Sequence, residues 1–115
     1  MQYLLIICTE EKAMFDATPD EAAASMAEYM AFQEDAGKRG VLVGGARLRP
    51  TTDATTVRVR NGELLTSDGP FAETKEQVGG YYLVDCKDLD EAIELAGKIP
   101  GARVGSIEVR PLWEM

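Results

Sequence analysis

Residues 2–8, "QYLLIIC", form a short apolar run that is rich in strand-forming residues. Successive side chains of a strand point to opposite faces of a sheet. One face therefore receives Tyr3, Leu5 and Ile7, and the other receives Leu4, Ile6 and Cys8. Because both sets are apolar, the run predicts a strand whose two faces are both covered.

A long helix is predicted after this strand. Thr18 is suited to cap its start, Pro19 to occupy the first helical position and Glu21 to complete a capping box, while Gly40 is suited to end it. One stripe of the helix recurs at steps of three and four residues, and we expect it to face the sheet: Ala22, Met26, Tyr29, Met30 and Gln33.

Strand and helix patterns continue through the rest of the chain. Asn61-Gly62 is the preferred two-residue turn of a hairpin, and Asp88 with Glu91 marks the start of a second helix. The expected elements are strands within 41–50, 55–60, 63–67, 77–86 and 105–113 and a helix within 87–99. The order is β-α-β-β-(β)-β-α-β, and we expect residues 1–115 to form a single domain.

This order predicts an α+β fold of the ferredoxin-like class, in which an antiparallel sheet carries both helices on one face. Two helices cover only one side of such a sheet, whereas the first strand is apolar on both sides. Large exposed apolar patches are rare in monomers. We therefore expect another copy of the chain to cover the second face, sheet to sheet, in a homodimer.

The chain of 115 residues carries a formal net charge of -8 and contains no histidine. Negative charge repels phosphate backbones and anionic membranes, so neither nucleic acid nor a membrane is an expected partner. No apolar run reaches the ~20 residues of a membrane span and no leader pattern opens the chain, so we expect a cytoplasmic protein. Two cysteines that lie far apart in the sequence, Cys8 and Cys86, do not suit a metal site. They are expected at opposite ends of antiparallel strands, which is too far apart for a disulfide. No metal and no cofactor are expected.

Charged side chains alternate along three predicted strands, and the pairs that share a face are Arg47 with Arg49, Arg58 with Arg60 and Glu108 with Arg110. These pairs fit a solvated outer surface. They also fit the lining of a cavity between two facing sheets, where arginines offer forked donors to a carboxylate or phosphate. A small anionic ligand is the partner that this second interpretation predicts.

The segment "SDGPF", residues 67–71, predicts one rigid bend, because proline fixes its own φ and glycine permits a backbone angle that other residues resist. Asp68 is suited to cap this bend or, if it is desolvated, to act as a general base. The bend aims Phe71 toward the edge of a site.

Two adjacent pairs follow in the next predicted strand. Gly79-Gly80 indicates a bulge or a close approach of backbone or ligand, because glycine weakens the interior of a strand. Tyr81 and Tyr82 must point to opposite faces. We expect one phenol to pack beneath the helices and the other to face the cavity.

The stretch "TSDGPFAETKE" at 66–76 and "GGYYLVD" at 79–85 closely resemble the YCII-related family that carries the DGPF motif, and so does the terminal "GSIEVRPLWEM". The resemblance implies a dimeric α+β barrel in which two sheets face each other. Some relatives use a histidine–aspartate pair for acid–base or elimination chemistry, and this chain lacks the histidine. Other relatives occur alongside extracytoplasmic-function sigma factors, which implies regulation or ligand sensing.

Two functions follow as hypotheses. The first is a small-molecule-binding dimer without chemistry, linked to sigma-factor-associated regulation, with a ligand site drawn from Arg47, Arg58, Phe71, Tyr82, Glu108 and Arg110. The second is a cofactor-free lyase or isomerase in which Asp68 is the general base and an arginine or Tyr82 is the electrophilic partner. A concavity shared by Asp68, Phe71 and an arginine would favour a functional role for the bend.

Overall fold

The computed structural model describes residues 1–114. Within that range the elements follow in the order β1 (Gln2–Thr9), α1 (Glu11–Asp16), α2 (Pro19–Lys38), β2 (Leu42–Arg47), β3 (Thr55–Arg60), β4 (Glu63–Asp68), β5 (Gln77–Asp85), α3 (Leu89–Lys98) and β6 (Ser106–Pro111). Short 3-10 turns lie at Thr51–Asp53 and Pro100–Arg103. Each predicted strand and helix is present. Helix α1 is present but was not predicted. Its N-cap residue is Glu10, which forms no side-chain cap, so the usual sequence signal for the start of a helix is missing.

Four strands form an antiparallel sheet in the order β2-β5-β1-β6, which confirms the ferredoxin-like prediction. β1 lies in the interior of the sheet, where Leu5 is opposite Tyr82 of β5 on one side and Val109 of β6 on the other. An interior strand has neighbours on both edges, so its backbone donors and acceptors are satisfied without water. The apolar run of β1 is suited to that position.

The core lies between this sheet and the helices on one of its faces. Tyr3, Leu5 and Ile7 point into the core from β1 and are buried. They pack with buried side chains of both long helices and of the turn after α3, namely Phe32, Ala36, Ala92, Leu95, Ala96 and Ile99. Complete burial of a leucine such as Leu5 or Leu95 stabilises the fold by about 1.5–3 kcal/mol.

Helix α2 begins with the predicted capping box. The Thr18 Oγ1 accepts a hydrogen bond from the Glu21 backbone N–H at 3.1 Å, and the Glu21 carboxylate accepts one from the Thr18 N–H at 3.1 Å. Pro19 occupies the first turn, and Gly40 takes a φ of 73° just beyond the last turn. The start and stop signals of the sequence therefore act as predicted.

The buried stripe of α2 differs from the prediction. Phe32 is buried and Tyr29 is half-buried, whereas Met26 and Met30 are 44% and 60% exposed. The helix is turned so that Phe32 rather than Met30 meets the sheet, and its ring packs on that of Tyr82 with centroids 5.0 Å apart. An aromatic pair buries more apolar area than a methionine at the same place, which accounts for the rotation.

The face of the sheet opposite α2 and α3 is called the open face here. Across the strands, Leu4 is opposite Leu83 and Ile6 is opposite Tyr81. Both long helices pack on the other side, so the apolar side chains of the open face stay partly exposed. They are Leu4, Ile6, Cys8, Val43, Val78, Tyr81 and Leu83.

β3 and β4 form a separate two-stranded sheet, a hairpin that joins β2 to β5. Its turn is the predicted Asn61-Gly62, with φ of 53° and 78°. Two consecutive positive φ values are the signature of a type I′ turn, whose twist matches that of the flanking strands.

The protomer is flat and extended. Its radius of gyration is 16.0 Å and its principal extents are 48 × 44 × 19 Å, whereas a compact domain of this length has a radius of gyration of about 13 Å. A single sheet with one layer of helices and a projecting hairpin accounts for this shape. Among the described residues, no helix combines the length and apolar character needed to cross a membrane.

The two cysteines are free thiols, as predicted. Cys8 is opposite Val78 near one end of β1, and Cys86 follows the other end of β5. Burial raises the pKa of both thiols, which keeps them protonated and poorly nucleophilic.

Candidate functional site

The structure distributes the predicted site residues over three places. Glu108 and Arg110 lie on the open face, Arg58, Asp68 and Phe71 lie on the hairpin or the bend after it, and Arg47 and Tyr82 lie on the helix side of the sheet. The three groups are separate in the protomer and have different surroundings. Each is therefore considered by its own contacts.

Glu108 and Arg110 form an ion pair with each other on β6. They are opposite Ile6 and Leu4 respectively, so the pair stands on the apolar open face. Both side chains are about half exposed or more, at 48% and 67%, and an ion pair with that exposure contributes little to stability. Their charges cancel, so the pair supplies polar atoms to this face without a net charge.

The bend after β4 is held by groups other than Asp68. The Gly69 N–H donates to the Ala54 carbonyl at 2.7 Å, and the Thr56 hydroxyl donates to the Gly69 carbonyl at 2.8 Å. Gly69 has a φ of 90°, which explains the need for glycine. Asp68 is exposed, and within residues 1–114 its carboxylate receives no hydrogen bond that would cap the bend.

A surface cleft of about 400 Å³ opens beside this bend. Its walls are Gly69 and Pro70 of the motif together with Thr51, Thr52, Glu73, Thr74 and Gln77. Asp68, Phe71 and the predicted arginines are not among these walls, and Phe71 is 82% exposed. The roles of Asp68 as general base and of Arg58 and Phe71 as ligand-binding residues stay predictions.

Arg47 reaches the helix side of the sheet because β2 carries a bulge. One extra residue, Val43, lies between the positions that pair with Val84 and Leu83 of β5. An extra residue reverses the alternation of every side chain beyond it. Arg47 is thereby opposite Gly80, on the side that the helices cover, rather than on the open face.

The guanidinium of Arg47 is exposed and lacks an acidic partner. The ion pairs within residues 1–114 involve other cations, although the chain has 20 acidic residues. Its hydrogen bond goes from Nη2 to the Sδ of Met14 in α1 at 3.4 Å. A thioether is a weak acceptor, so most of the donors of this guanidinium face water or a ligand.

Two phenols border the same end of the helix layer. The Tyr82 hydroxyl accepts a hydrogen bond from Gln33 Nε2 at 2.8 Å, and Tyr82 is buried against Phe32. Burial raises the pKa of the Tyr29 phenol, while a hydrogen bond from the Gly101 backbone and the positive charges of Arg47 and Arg103 oppose that rise. Tyr29 therefore stays protonated near neutral pH.

The group formed by Arg47, Met14, Tyr29, Gln33 and Tyr82 is called the Arg47 site. Arg47 and Tyr82 were predicted as ligand-binding residues. Tyr29 and Gln33 belong to the helical stripe that the sequence predicts to face the sheet. Met14 lies on α1, a helix that the sequence analysis does not predict. On the surface of α2, the exposed side chains of Met26 and Met30 are neighbours of Tyr29 and Gln33, which follow them by three residues.

The paired glycines are explained by the backbone around this site. Gly79 is the extra residue of a second bulge, between the positions opposite Ile7 and Cys8. On the neighbouring strand, a Cβ at Gly45 would lie only 2.7 Å from the Tyr82 ring. Of the two interpretations given for the glycine pair, the bulge holds at Gly79, and a close approach of backbone holds at Gly80, where a Cβ would lie 2.8 Å from the Ala46 carbonyl oxygen.

The Arg47 site can bind and orient an anion. It offers the forked N–H donors of an exposed guanidinium beside the Met14 thioether. The Tyr82 hydroxyl is buried and already accepts a hydrogen bond from Gln33. No cluster of three or more Cys, Asp or Glu side chains within residues 1–114 could hold a metal ion.

Comparison with known proteins gives two findings. The family described as the YCII-related domain matches residues 1–115. The chain is also 42% identical over 114 residues to an uncharacterised protein of Rhizobium meliloti (strain 1021), a match that covers 97% of this chain and 92% of the relative. At that identity and coverage the two proteins share one fold over nearly their whole length.

Proposed function

The chain belongs to the family of YCII-related domains, and we propose that it binds a small anionic molecule and acts as a homodimer. The observation that supports ligand binding is the exposed guanidinium of Arg47, which pairs with no acid within residues 1–114 and contacts the thioether of Met14. A guanidinium recognises a carboxylate through two parallel hydrogen bonds. Methionine side chains adapt to apolar groups of varied shape. The ligand class we propose is a carboxylate on an apolar or aromatic body.

Electrostatics favour this assignment. The chain has a net charge of -8, and most surface cations in such a protein are expected to pair with nearby acids. Arg49, two residues further on, does so with Asp53 at 2.9 Å. Arg47 instead contacts a thioether. A cation left without an acid in an acidic protein is available to an external anion.

Calorimetric titration with benzoate, hexanoate and inorganic phosphate tests the ligand proposal. We expect the two carboxylates to bind. Arg47→Gln is expected to weaken their binding by roughly 10- to 100-fold, because a hydrogen bond to a charged group contributes about 1.5–3 kcal/mol. Arg49→Gln is the matched control, since it removes the same charge from an arginine that is already paired. Equal binding by the wild type and Arg47→Gln would contradict the proposal.

The homodimer is supported by the open face. Leu4, Ile6 and Leu83 sit at its centre, and Val43 and Val78 extend it with 52% and 46% of their surfaces exposed. The flat protomer offers this face as one continuous surface. A second copy presents the same apolar face, and burial of apolar area drives two such faces together. Sedimentation at micromolar concentration is expected to show a dimer, and a monomer would refute the assembly.

The biological context we propose is regulation beside an extracytoplasmic-function sigma factor, which rests on the resemblance to relatives found in that setting. The alternative activity is a cofactor-free lyase or isomerase that uses Asp68 as general base. It has less support, because Asp68 is exposed on the hairpin and lies outside the Arg47 site. Turnover of a bound carboxylate that Asp68→Asn abolishes would favour the enzyme.

A further inference from the structure

The β3–β4 hairpin has two unlike faces. Its register places Val57 opposite Thr66 and Val59 opposite Leu64, so these side chains share one face, and Thr55 and Asp68 are on the same face at the base of the hairpin. The other face carries Thr56, Arg58, Arg60, Glu63, Leu65 and Ser67. Alternation of this kind is typical of a sheet that buries one face and exposes the other to water. The first set is called the apolar face of the hairpin.

This apolar face is uncovered in the protomer. Val57, Val59 and Leu64 are 57%, 59% and 69% exposed. At the base of the hairpin, hydrogen bonds between Gly69 and the Ala54–Thr56 segment join its two strands to each other. Within residues 1–114, the two strands pack extensively against each other and against no other strand or helix.

An isolated two-stranded hairpin is marginally stable in water. Three large apolar side chains on one face add a cost of exposure, of the kind that monomeric proteins avoid. The turn chemistry, by contrast, is well suited to a hairpin, since Asn61-Gly62 takes the required positive φ values. A well-formed hairpin with an uncovered apolar face indicates that its cover comes from another molecule.

A second copy of this chain fits that role best. The hairpin carries Arg58, Arg60, Glu63 and Asp68, two charges of each sign, and so is neutral in a chain of net charge -8. Two such chains repel each other overall, and a neutral segment is the part that can approach an acidic partner at least cost.

The area of the dimer interface gives a second reason. The open face of a four-stranded sheet with strands of about seven residues measures roughly 19 × 23 Å in projection. One face of the hairpin measures roughly 10 × 20 Å in projection, nearly half the size of the open face. A stable interface takes about 800 Å² of accessible surface from each partner. A dimer that uses both faces comes nearer to that size than a dimer that uses the open face alone.

We propose that the β3–β4 hairpin is a dimerisation arm, whose apolar face of Val57, Val59 and Leu64 packs on the second copy of this chain. The proposal rests on the homodimer proposed above. It adds a second contact region, outside the four-stranded sheet, that both protomers contribute by symmetry.

The test compares the two faces of the arm. The double variant Val59→Asp/Leu64→Asp places charges on the apolar face, and Leu65→Asp places one on the opposite face of the same strand. By analytical ultracentrifugation, we expect the double variant to raise the dissociation constant of the dimer by more than about 30-fold, since four apolar side chains per dimer lose their burial. Leu65→Asp is expected to change it by less than about 3-fold.

Hydrogen exchange of the wild-type protein supplies a second readout that needs no variant. Amides of residues 55–68 are expected to exchange at least 10-fold faster when the protein is diluted below its dissociation constant. A double variant that dimerises like the wild type, or arm amides that exchange equally in both states, would overturn the arm and leave the homodimer standing. A wild-type protein that is monomeric throughout would overturn both.

Discussion

At the scale of single residues, Gly80 shows how closely β2 and β5 approach beside the Arg47 site. A Cβ at this position would lie 2.8 Å from the Ala46 carbonyl oxygen and 3.4 Å from the Arg47 Cα. Both neighbours belong to the backbone of a paired strand, so relief requires the strands to separate. Glycine is the residue that permits this spacing.

Gly80→Ala is therefore expected to lower the free energy of unfolding by about 1–3 kcal/mol, the usual cost of overpacking. Urea denaturation followed by circular dichroism measures the change. Gly79→Ala is the matched control, because the nearest atom to its added Cβ, the Thr9 Oγ1, lies 3.8 Å away. A larger loss at Gly79 than at Gly80 would show that the bulge, and not the close approach, limits this part of the sheet.

Residue identity alone places Arg47 and Tyr82 in a cavity between two facing sheets, whereas the structure places both on the helix side. The expectation that one of the two tyrosines packs beneath the helices is confirmed by Tyr82. The side of the sheet that Arg47 occupies depends on the extra residue Val43. A bulge is a matter of hydrogen-bond register between two strands, and β2 alone carries no pattern that reveals it.

At the scale of elements, the start of α2 couples a cap to a titrating group. The Thr18 backbone N–H donates to the Glu21 carboxylate, and the Glu21 backbone N–H donates to the Thr18 hydroxyl oxygen. The backbone and the side chain of Thr18 together hold the pKa of the Glu21 carboxyl below its usual value. A carboxyl with a lowered pKa in the folded state stabilises the protein above its unfolded-state pKa. That contribution is lost as the pH falls through the folded-state pKa.

Thr18→Ala is expected to destabilise the protein by about 0.5–2 kcal/mol near neutral pH, the usual effect of losing an N-cap. The fall in stability from about pH 5 to pH 3 should also become shallower, because Glu21 then titrates closer to its ordinary value. Thermal unfolding at a series of pH values measures both effects. Ser25→Ala, a substitution on the exposed surface inside the same helix, should change neither.

The elements were predictable where two independent signals agreed. α2 has both a capping box and a terminal glycine, and the hairpin has both alternating strands and Asn61-Gly62. α1 has neither and was missed. The orientation of α2 was also missed, because the periodicity of a helix that is rich in alanine and methionine does not decide which of two adjacent stripes meets the sheet.

At the scale of the whole molecule, the proposed homodimer depends on the open face. Ile6 lies at its centre, opposite Tyr81 on one side and Glu108 on the other. Ile6→Glu would place an unpaired charge in the proposed interface, and we expect it to weaken the dimer by more than about 100-fold. Ile93→Glu, a matched substitution at a side chain that is 53% exposed on α3, should leave the dimer intact.

Sedimentation velocity of the two variants and the wild type measures this difference. Retention of the dimer by Ile6→Glu would place the interface elsewhere. The fold of the protomer was predictable because its strand order follows from local patterns. Its assembly stays a prediction. The sequence shows that the second face of β1 is apolar, and it does not show what the partner surface is.

The extra residue in β2 has a consequence for reading related chains. A homologue that lacked Val43 would keep its arginine in the same alignment column, yet the charge would emerge on the reverse of the sheet. An arginine that aligns with Arg47 in a related chain therefore need not bind the same ligand. Loop and strand lengths upstream of the arginine are the quantity to compare before a role is transferred from one relative to another.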